Sequence, residues 1–400
     1  MAKVLLTGKG RHWIAGGHPW IYADDVAHAE AEPGELVPVY DPAEKPCGWG
    51  LFSSASRIAV RLVTRSPEQP VRAFWAERVQ SALRARSEAG LLEPEGACRL
   101  LSGDADGVPG LVVDRYRDVL VLQSGVQGSD RMREFALELV TEALDEHGLA
   151  VRAVLDRSDT AVRRLEDLQP RVEWVRGADP GPIEVREPGL VYTVDVTGGH
   201  KTGHYLDQRL NRMRAAEAAA GGGAVLDAFS YDGLFGIRAA LAGADSVLCL
   251  DQSEAAGERV LANAERNGVA DRVRFERGNA MRDLRRRAAE GEQYRLVVVD
   301  PPAFARNRRE AAGAARGYRE LNRRAMALVE PEGRLVSASC SYNVRPEEFV
   351  RHLAAAATAA GREAWLTELR GAAPDHPVRL QLPESEYLKC AFLRLGGGVG

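Results

Sequence analysis

The sequence predicts an α/β protein whose carboxy-terminal half is built on a mostly parallel sheet, and three stretches carry that reading. Arg295 to Val299 is a short apolar run of the kind that forms a fully buried strand. It stops at Pro301-Pro302, which can neither donate ladder hydrogen bonds nor continue the strand. From Tyr318 to Val329 the apolar residues Leu321, Ala325 and Leu328 recur at helical spacing. Pro331-Glu332-Gly333 then supplies helix-stop chemistry ahead of a second strand, Arg334 to Ser337. Upstream, Ala224 to Gly236 reads as a strand, a turn containing Gly233 and the start of a helix. A strand, helix, strand crossover of this length joins neighbouring parallel strands.

Ligands of open α/β sheets bind outside the carboxyl ends of the strands. Asp300, just past one strand, and Cys340, between Ser339 and Ser341 just past the next, are therefore expected to face one crevice. A carboxylate and a thiol are the pair that methylation of a pyrimidine carbon needs. Carbon 5 of cytosine or uracil is a poor nucleophile until a thiolate adds at carbon 6. Cys340 is the candidate nucleophile, and Asp300 the candidate partner for the charge that develops on the ring. The base that takes the carbon 5 proton is not named by the sequence. The competing reading of Cys340 is a small buried hydrophobe. Two other functions stay open: methylation of an exocyclic amine or purine nitrogen, which needs no thiol, and a non-catalytic RNA-binding assembly factor.

The methyl donor is expected on the preceding strands. The stretch with Asp227, Phe229, Ser230, Tyr231 and Gly233 lacks the G-x-G-x-x-G spacing of a dinucleotide site, which disfavours NAD and suits S-adenosylmethionine, a cofactor with no pyrophosphate. Ser246 to Leu250 reads as a second strand ending in Asp251, whose carboxylate can accept both ribose hydroxyls of an adenosine. Val273 to Glu276 leads to Asn279, whose amide can read an adenine edge. Asp and Asn at strand ends also serve as helix caps and turn formers. Three at successive strand ends favour the cofactor reading.

The front of the chain is organised differently. Met1 to about Thr64 carries strand-like pieces, Leu36 to Tyr40 and Arg57 to Val63, broken by Gly and Pro, as in a small β-rich barrel. Then follow a helix (Phe74 to Ala89), strands (Gly110 to Tyr116, Val119 to Gln123), a helix (Arg131 to Glu146) and a strand (Ala153 to Asp156), an α+β alternation. Ala178-Asp179-Pro180-Gly181-Pro182 is the clearest linker signal. The expected partition is residues 1–68, 72–178 and 185–397.

Composition is that of an ordinary globular chain, 45% hydrophobic and 28% charged, with a formal net charge of −4. The sum does not advertise an RNA binder, but its distribution matters more. Arg306, Arg308 and Arg309 follow the Pro-Pro loop and are candidate phosphate contacts, as are Lys9 and Arg11 near Trp13 and Trp20. Arg285-Arg286-Arg287 reads as a solvated helix face. No apolar run reaches about 18 residues and the amino-terminal apolar stretch is too short for a signal peptide, so a cytoplasmic protein is expected. The five cysteines form no C-x-x-C pair, so neither disulfides nor a metal site is expected.

The words Lys201-Thr202-Gly203-His204-Tyr205-Leu206-Asp207-Gln208-Arg209, Asp300-Pro301-Pro302, Gly317-Tyr318-Arg319-Glu320-Leu321-Asn322, Ser339-Cys340-Ser341, Asp375-His376-Pro377-Val378 and Glu386-Tyr387-Leu388-Lys389 together resemble the bacterial large-subunit (23S) ribosomal RNA cytosine-5 methyltransferases. At the front, Gly16 to Tyr22 and Asp106 to Tyr116 match as well, so the resemblance covers almost the whole chain. It implies an amino-terminal PUA domain, a small α+β middle domain and a Rossmann-like class I methyltransferase domain with a seven-stranded, mostly parallel sheet. It also implies that Cys340 is the nucleophile, that Asp251 holds the ribose of S-adenosylmethionine, and that Tyr205, Gln208 and Arg209 reach the crevice. Ribosomal RNA is the implied partner, and a homodimer stays open. The chain departs from the family at Ala303, where relatives often carry Lys, at His204, where they often carry an aromatic, and at Asn279, where they often carry an acid.

Overall fold

The computed structural model describes residues 2–304 and 311–398. The chain folds into two compact units, each assembled from separate segments. Met1–Glu187, Val194–Leu206 and Pro374–Ser385 form the first, and Pro188–Thr193, Asp207–Ala373 and Glu386–Gly400 form the second.

The first unit holds two sheets with separate cores. Strands β1 (Lys3–Leu6), β2 (Trp20–Tyr22), β3 (Val26–Glu30), β4 (Leu36–Tyr40), β5 (Pro46–Phe52) and β6 (Ile58–Thr64) make a six-stranded sheet in the order β2-β6-β5-β4-β1-β3, with helix α1 (Gly8–Ala15) after β1. Alternate residues of these strands, Val4, Leu6, Val37 and Val39 among them, point into one apolar core, the period of two that a half-buried strand requires. After helix α2 (Arg72–Glu88) come β7 (Ala97–Ser102), β8 (Leu111–Tyr116), β9 (Val119–Ser124), helix α3 (Gln127–Glu146), β10 (Ala153–Ser158) and β11 (Arg171–Arg176). They form a five-stranded sheet in the order β11-β10-β9-β8-β7, covered by Trp75, Val79 and Leu83 of α2 and by Leu139 and Val140 of α3. The Ala178 to Pro182 stretch is a loop, and β12 (Ile183–Glu187) and β13 (Leu190–Val194) then carry the chain toward the second unit.

The second unit contains the site. Its elements are α4 (Arg209–Glu217), β14 (Ala224–Ala228), α5 (Leu234–Leu241), β15 (Ser246–Asp251), α6 (Glu254–Arg266), β16 (Val273–Arg277), α7 (Ala280–Ala289), β17 (Tyr294–Val299), α8 (Ala311–Ala327), β18 (Val329–Ser339), α9 (Pro346–Ala359), β19 (Arg362–Arg370) and β20 (Lys389–Gly398). The seven strands lie in the order β16-β15-β14-β17-β18-β20-β19. All neighbours from β16 to β18 are parallel, and β20 runs antiparallel to both β18 and β19. The central strands are apolar without alternation because both faces are covered: on one, Leu226, Val297, Val299 and Leu335 pack with Tyr318 and Leu321 of α8 and with Phe349 of α9, and on the other α5 lies against Val247 and Cys249. Strand order reverses between β14 and β17, the switch point where an α/β sheet opens a crevice.

One local expectation is corrected. Pro331-Glu332-Gly333 does not separate a helix from a strand. The helix ends at Ala327, and β18 already begins at Val329, running through the Pro-Glu-Gly stretch to Ser339. The pairing with β17 shifts register between Tyr294↔Val329 and Leu296↔Arg334, and Glu332 takes a φ of 63°. The extra residues are absorbed as a bulge, where a Pro without an amide hydrogen is tolerated.

Leu321 is fully buried on α8 at the centre of this core. Leu321→Ala is expected to cost about 2–5 kcal/mol of unfolding free energy, read as a shift of the urea midpoint at unchanged slope.

Candidate active site

Asp300 and Cys340 end neighbouring parallel strands. Val299 of β17 is paired with Ser337 of β18, Asp300 follows directly, and Cys340 follows Ser339 at the end of β18. Both side chains are half-buried. Tyr318 of α8 fixes the thiol's backbone: its hydroxyl lies 2.8 Å from Ser339 Oγ and 2.8 Å from Ser341 Oγ, so one phenol ties down both flanking serines. Tyr318 is fully buried, and burial foremost raises the pKa of its hydroxyl, which stays neutral and bonds to the two serines. The other cysteine thiols of this unit, Cys249 and Cys390, are buried, and burial pushes each well above the usual thiol range. Among the described residues Cys340 is the one partly accessible thiol of the second unit.

Three carboxylates gather at the same edge. Asp227 is the fourth residue of β14 and is 1% exposed. Burial pushes its carboxyl up to about 7; the Gly236 N–H, 2.9 Å from Oδ2, works against this, the nearby Asp300 and Asp251 charges add to it, and Arg212 lowers it again. These mutual interactions place Asp227, Asp251 and Asp300 in one electrostatic neighbourhood, as the strand-end argument predicts.

The loop after β14 is shaped to wrap something. Phe229 and Tyr231 both have left-handed backbones, with φ of 64° and 51°, and Gly233 takes φ 73°. Non-glycine residues adopt this conformation at a cost, and such residues cluster at ligand sites. The amides of Phe229 and Ser230 donate to Leu250 O, at 2.9 and 3.2 Å. Ser230 Oγ is buried with no hydrogen-bond partner among the described residues, a group suited to a ligand. Gly236 lets α5 approach: a Cβ there would stand 2.7 Å from Val247 Cγ1 and 2.9 Å from Cys249 Sγ. Asp251 at the end of β15 accepts from Tyr231 N at 3.1 Å and Ser253 N at 3.0 Å, which orients its carboxylate and leaves further lone pairs for hydroxyls. Asn279 is exposed, and its Oδ1 caps α7 by accepting from Arg282 N at 3.1 Å. Its amide nitrogen takes no part in that cap.

Of the residues placed by resemblance, Gln208 reaches Asp300: its Nε2 donates to Asp300 Oδ2 at 2.9 Å, while its Oε1 accepts from Asn211 Nδ2 at 2.7 Å. Arg209 is buried at the start of α4. Tyr205 belongs to the first unit, where its hydroxyl lies 3.1 Å from His200 Nδ1. Lys9 and Arg11, also in the first unit, are exposed on α1, each against a buried acid: Lys9 Nζ lies 3.0 Å from Asp25 and Arg11 Nε 3.3 Å from Asp41. Arg306, Arg308 and Arg309 lie outside the described residues. The Arg285 to Arg287 run is not one solvated face. Arg285 and Arg286 are exposed, but Arg287 is 2% exposed and pairs with Glu276 and with Glu292. It is the structural cation of α7. Sequence reasoning missed Asn211, Arg212 and Lys389. The first two follow Gln208 and Arg209 at three-residue spacing on one helix face, a signal that was present.

A Rossmann-like sheet with acids at successive strand ends defines a class of adenosine-binding α/β enzymes, and the donor set fits S-adenosylmethionine: a ribose-type carboxylate, an unfilled buried hydroxyl and an acid cluster that favours a cationic ligand. Residues 153–371 match the family described as S-adenosylmethionine-dependent methyltransferase, and residues 4–65 match a PUA-like domain. Proteins named ribosomal RNA large subunit methyltransferase I are similar over nearly the full length. That of Erwinia tasmaniensis is 35% identical, covering 97% of this chain and 98% of its own. That of Aeromonas hydrophila is 37% identical, covering 98% and 100%. Among solved structures, SMU.776 complexed with SAH superposes with a TM-score of 0.82 at 19% identity, over 98% of this chain and 100% of that one. A SAM-dependent methyltransferase from Streptococcus mutans gives the same values. The chain belongs to the S-adenosylmethionine-dependent methyltransferases, in the family of the ribosomal RNA large subunit methyltransferase I proteins. It is an enzyme that uses S-adenosylmethionine.

Asp227 sets a pH dependence whose sign follows from its raised carboxyl. The folded protein holds the proton more tightly than the unfolded chain, so the associated stability is complete below the ordinary aspartate value of 3.8 and is lost as pH rises through about 7. Asp227→Asn removes that loss: its melting temperature relative to wild type is expected to become more favourable between pH 5 and pH 8. An equal difference at both pH values counts against the buried carboxyl.

Proposed function

We propose that this enzyme methylates carbon 5 of a cytosine in large-subunit ribosomal RNA, with Cys340 as nucleophile. The observation that carries the proposal is the placement of Cys340 and Asp300 at the ends of adjacent parallel strands, beside the acid cluster. The names of the relatives support ribosomal RNA as the substrate class.

In this reading Asp251 holds the ribose, Asn279 the adenine edge, and Asp227, Phe229, Ser230, Tyr231 and Gly233 the remaining walls of the cofactor site. When bound, S-adenosylmethionine supplies an electrophilic methyl group. Cys340 Sγ adds to carbon 6 of the cytosine, which makes carbon 5 nucleophilic, and leaves by elimination once the carbon 5 proton has been removed. Asp300, oriented by Gln208, faces the ring's polar edge and accepts from the exocyclic amine, which holds the ring in place for attack. An exocyclic amine donor is present on cytosine and absent from uracil, which favours cytosine. Lys9 and Arg11 and the PUA-like residues 4–65 provide phosphate contacts. The reaction belongs in the reducing cytoplasm, where the thiol stays available. No helix among the described residues is long and apolar enough to cross a membrane.

The test is a transfer assay with labelled S-adenosylmethionine, ribosomal RNA from cells lacking the gene, and nucleoside analysis of the product. Wild type is expected to yield 5-methylcytidine. Cys340→Ala should lose more than about a thousandfold in rate while binding the cofactor within about twofold of wild type by calorimetry. Label in another nucleoside, or a Cys340→Ala variant as fast as wild type, would sink the covalent mechanism.

A further inference from the structure

Lys389 is a buried cation that the reaction as written does not use. It opens β20 and pairs with Ser339 of β18, the residue immediately before Cys340. Its side chain is 2% exposed. Nζ donates to Ser341 O at 2.7 Å and to Tyr387 O at 2.8 Å, so the carbonyl on the far side of Cys340 anchors the amine. A buried lysine is ordinarily matched to a carboxylate. No carboxylate of the described residues forms an ion pair with this one. Its foremost charge partner is Cys340, ahead of Glu386, Arg345 and Glu348.

We propose that Lys389 is the positioning residue that takes the thiol proton of Cys340 and holds the resulting thiolate for attack. This rests on Cys340 being the nucleophile. The S–H bond breaks, its electron pair stays on sulfur, and the proton forms the third N–H of Nζ. Two N–H groups remain on the carbonyls of Ser341 and Tyr387, so the amine keeps its place in both protonation states. The chemistry suits the environment: burial foremost lowers the ammonium to about 8, within reach of a thiol, and the charge of Cys340 pulls it back up. Glu386 and Glu348 act in the same direction as Cys340, and Arg345 acts against them. The neutral phenol of Tyr318 is bonded to the serine just before the thiol. A hydrophobic replacement removes the counter-charge and leaves the thiol with neutral neighbours, which disfavours the thiolate.

The experiment follows Cys340 alkylation by iodoacetamide against pH, read peptide by peptide by mass spectrometry, in wild type, Lys389→Met and Lys389→Arg, each checked for folding by cofactor binding. In Lys389→Met the alkylation midpoint is expected to rise by about one pH unit or more, a roughly tenfold loss of thiolate at neutral pH. In Lys389→Arg it should stay close to wild type, because the charge is retained. A midpoint unchanged in Lys389→Met, or raised equally in both variants, overturns the proposal. Should Lys389→Met fail to fold, the reverse measurement decides. The Lys389 side-chain carbon resonance of Cys340→Ala protein should titrate about one unit lower than in wild type, and an unchanged titration overturns the pairing. The nucleophile reading fails separately: full methyl transfer by Cys340→Ala would sink it whatever the titrations show.

Discussion

Parallel strand pairing is the constraint on which the rest of the second unit depends. Strands that run the same way deliver their carboxyl ends to one edge, and the ladder consumes the backbone groups within the sheet. What remains for chemistry at that edge is side chains and loop amides. Asp227, Asp251, Asp300 and Cys340 are brought together by that rule, each from a different strand or its first loop residue. The antiparallel β20 obeys the same geometry with its ends exchanged. Running against β18, it brings its first residue, Lys389, to the edge where the other strands bring their last. Acids and thiol arrive from carboxyl ends, and the buried cation Lys389 arrives from an amino end.

Gathering acids in a half-buried crevice works against stability. Asp227 bears most of that cost, because it is the deepest of the three. Gly236 N–H and Arg212 offset part of it, and the two backbone donors to Asp251 hold that carboxylate outward of the core. The imbalance that remains is one that a positive charge placed beside the three acids relieves.

Much of this was legible in the sequence because strand ends announce themselves. Pro301-Pro302 marks where β17 must stop, and the apolar run before it has no alternation, so the placement of Asp300 at a sheet edge followed directly. Asp227 and Asp251 were legible for the same reason. Tyr205 illustrates the limit: it lies three residues from Gln208 in sequence, yet belongs to the other unit, because chain proximity carries no information about where a chain crosses between cores. Pro331-Glu332-Gly333 was read as a helix stop because bulge and stop draw on the same residue types. The place of Lys389 beside the Cys340 segment was not legible, because it is set by antiparallel register with a strand some fifty positions earlier, a pairing that no local pattern encodes. Arg287 was hidden by its neighbours, since one buried arginine in a run of three looks like surface.

The order of the strands in the sheet has a consequence for synthesis. β20 follows β18 and β19 in the chain, yet it lies between them in the sheet, so both are made before it. While the chain is being translated, β18 and β19 therefore leave a gap one strand wide, with unpaired ladder groups on both sides. Filling that gap is the same event that brings Lys389 beside Cys340. Zipping of β20 thus closes the sheet only after the strands that carry Asp227, Asp251 and Asp300 have been made.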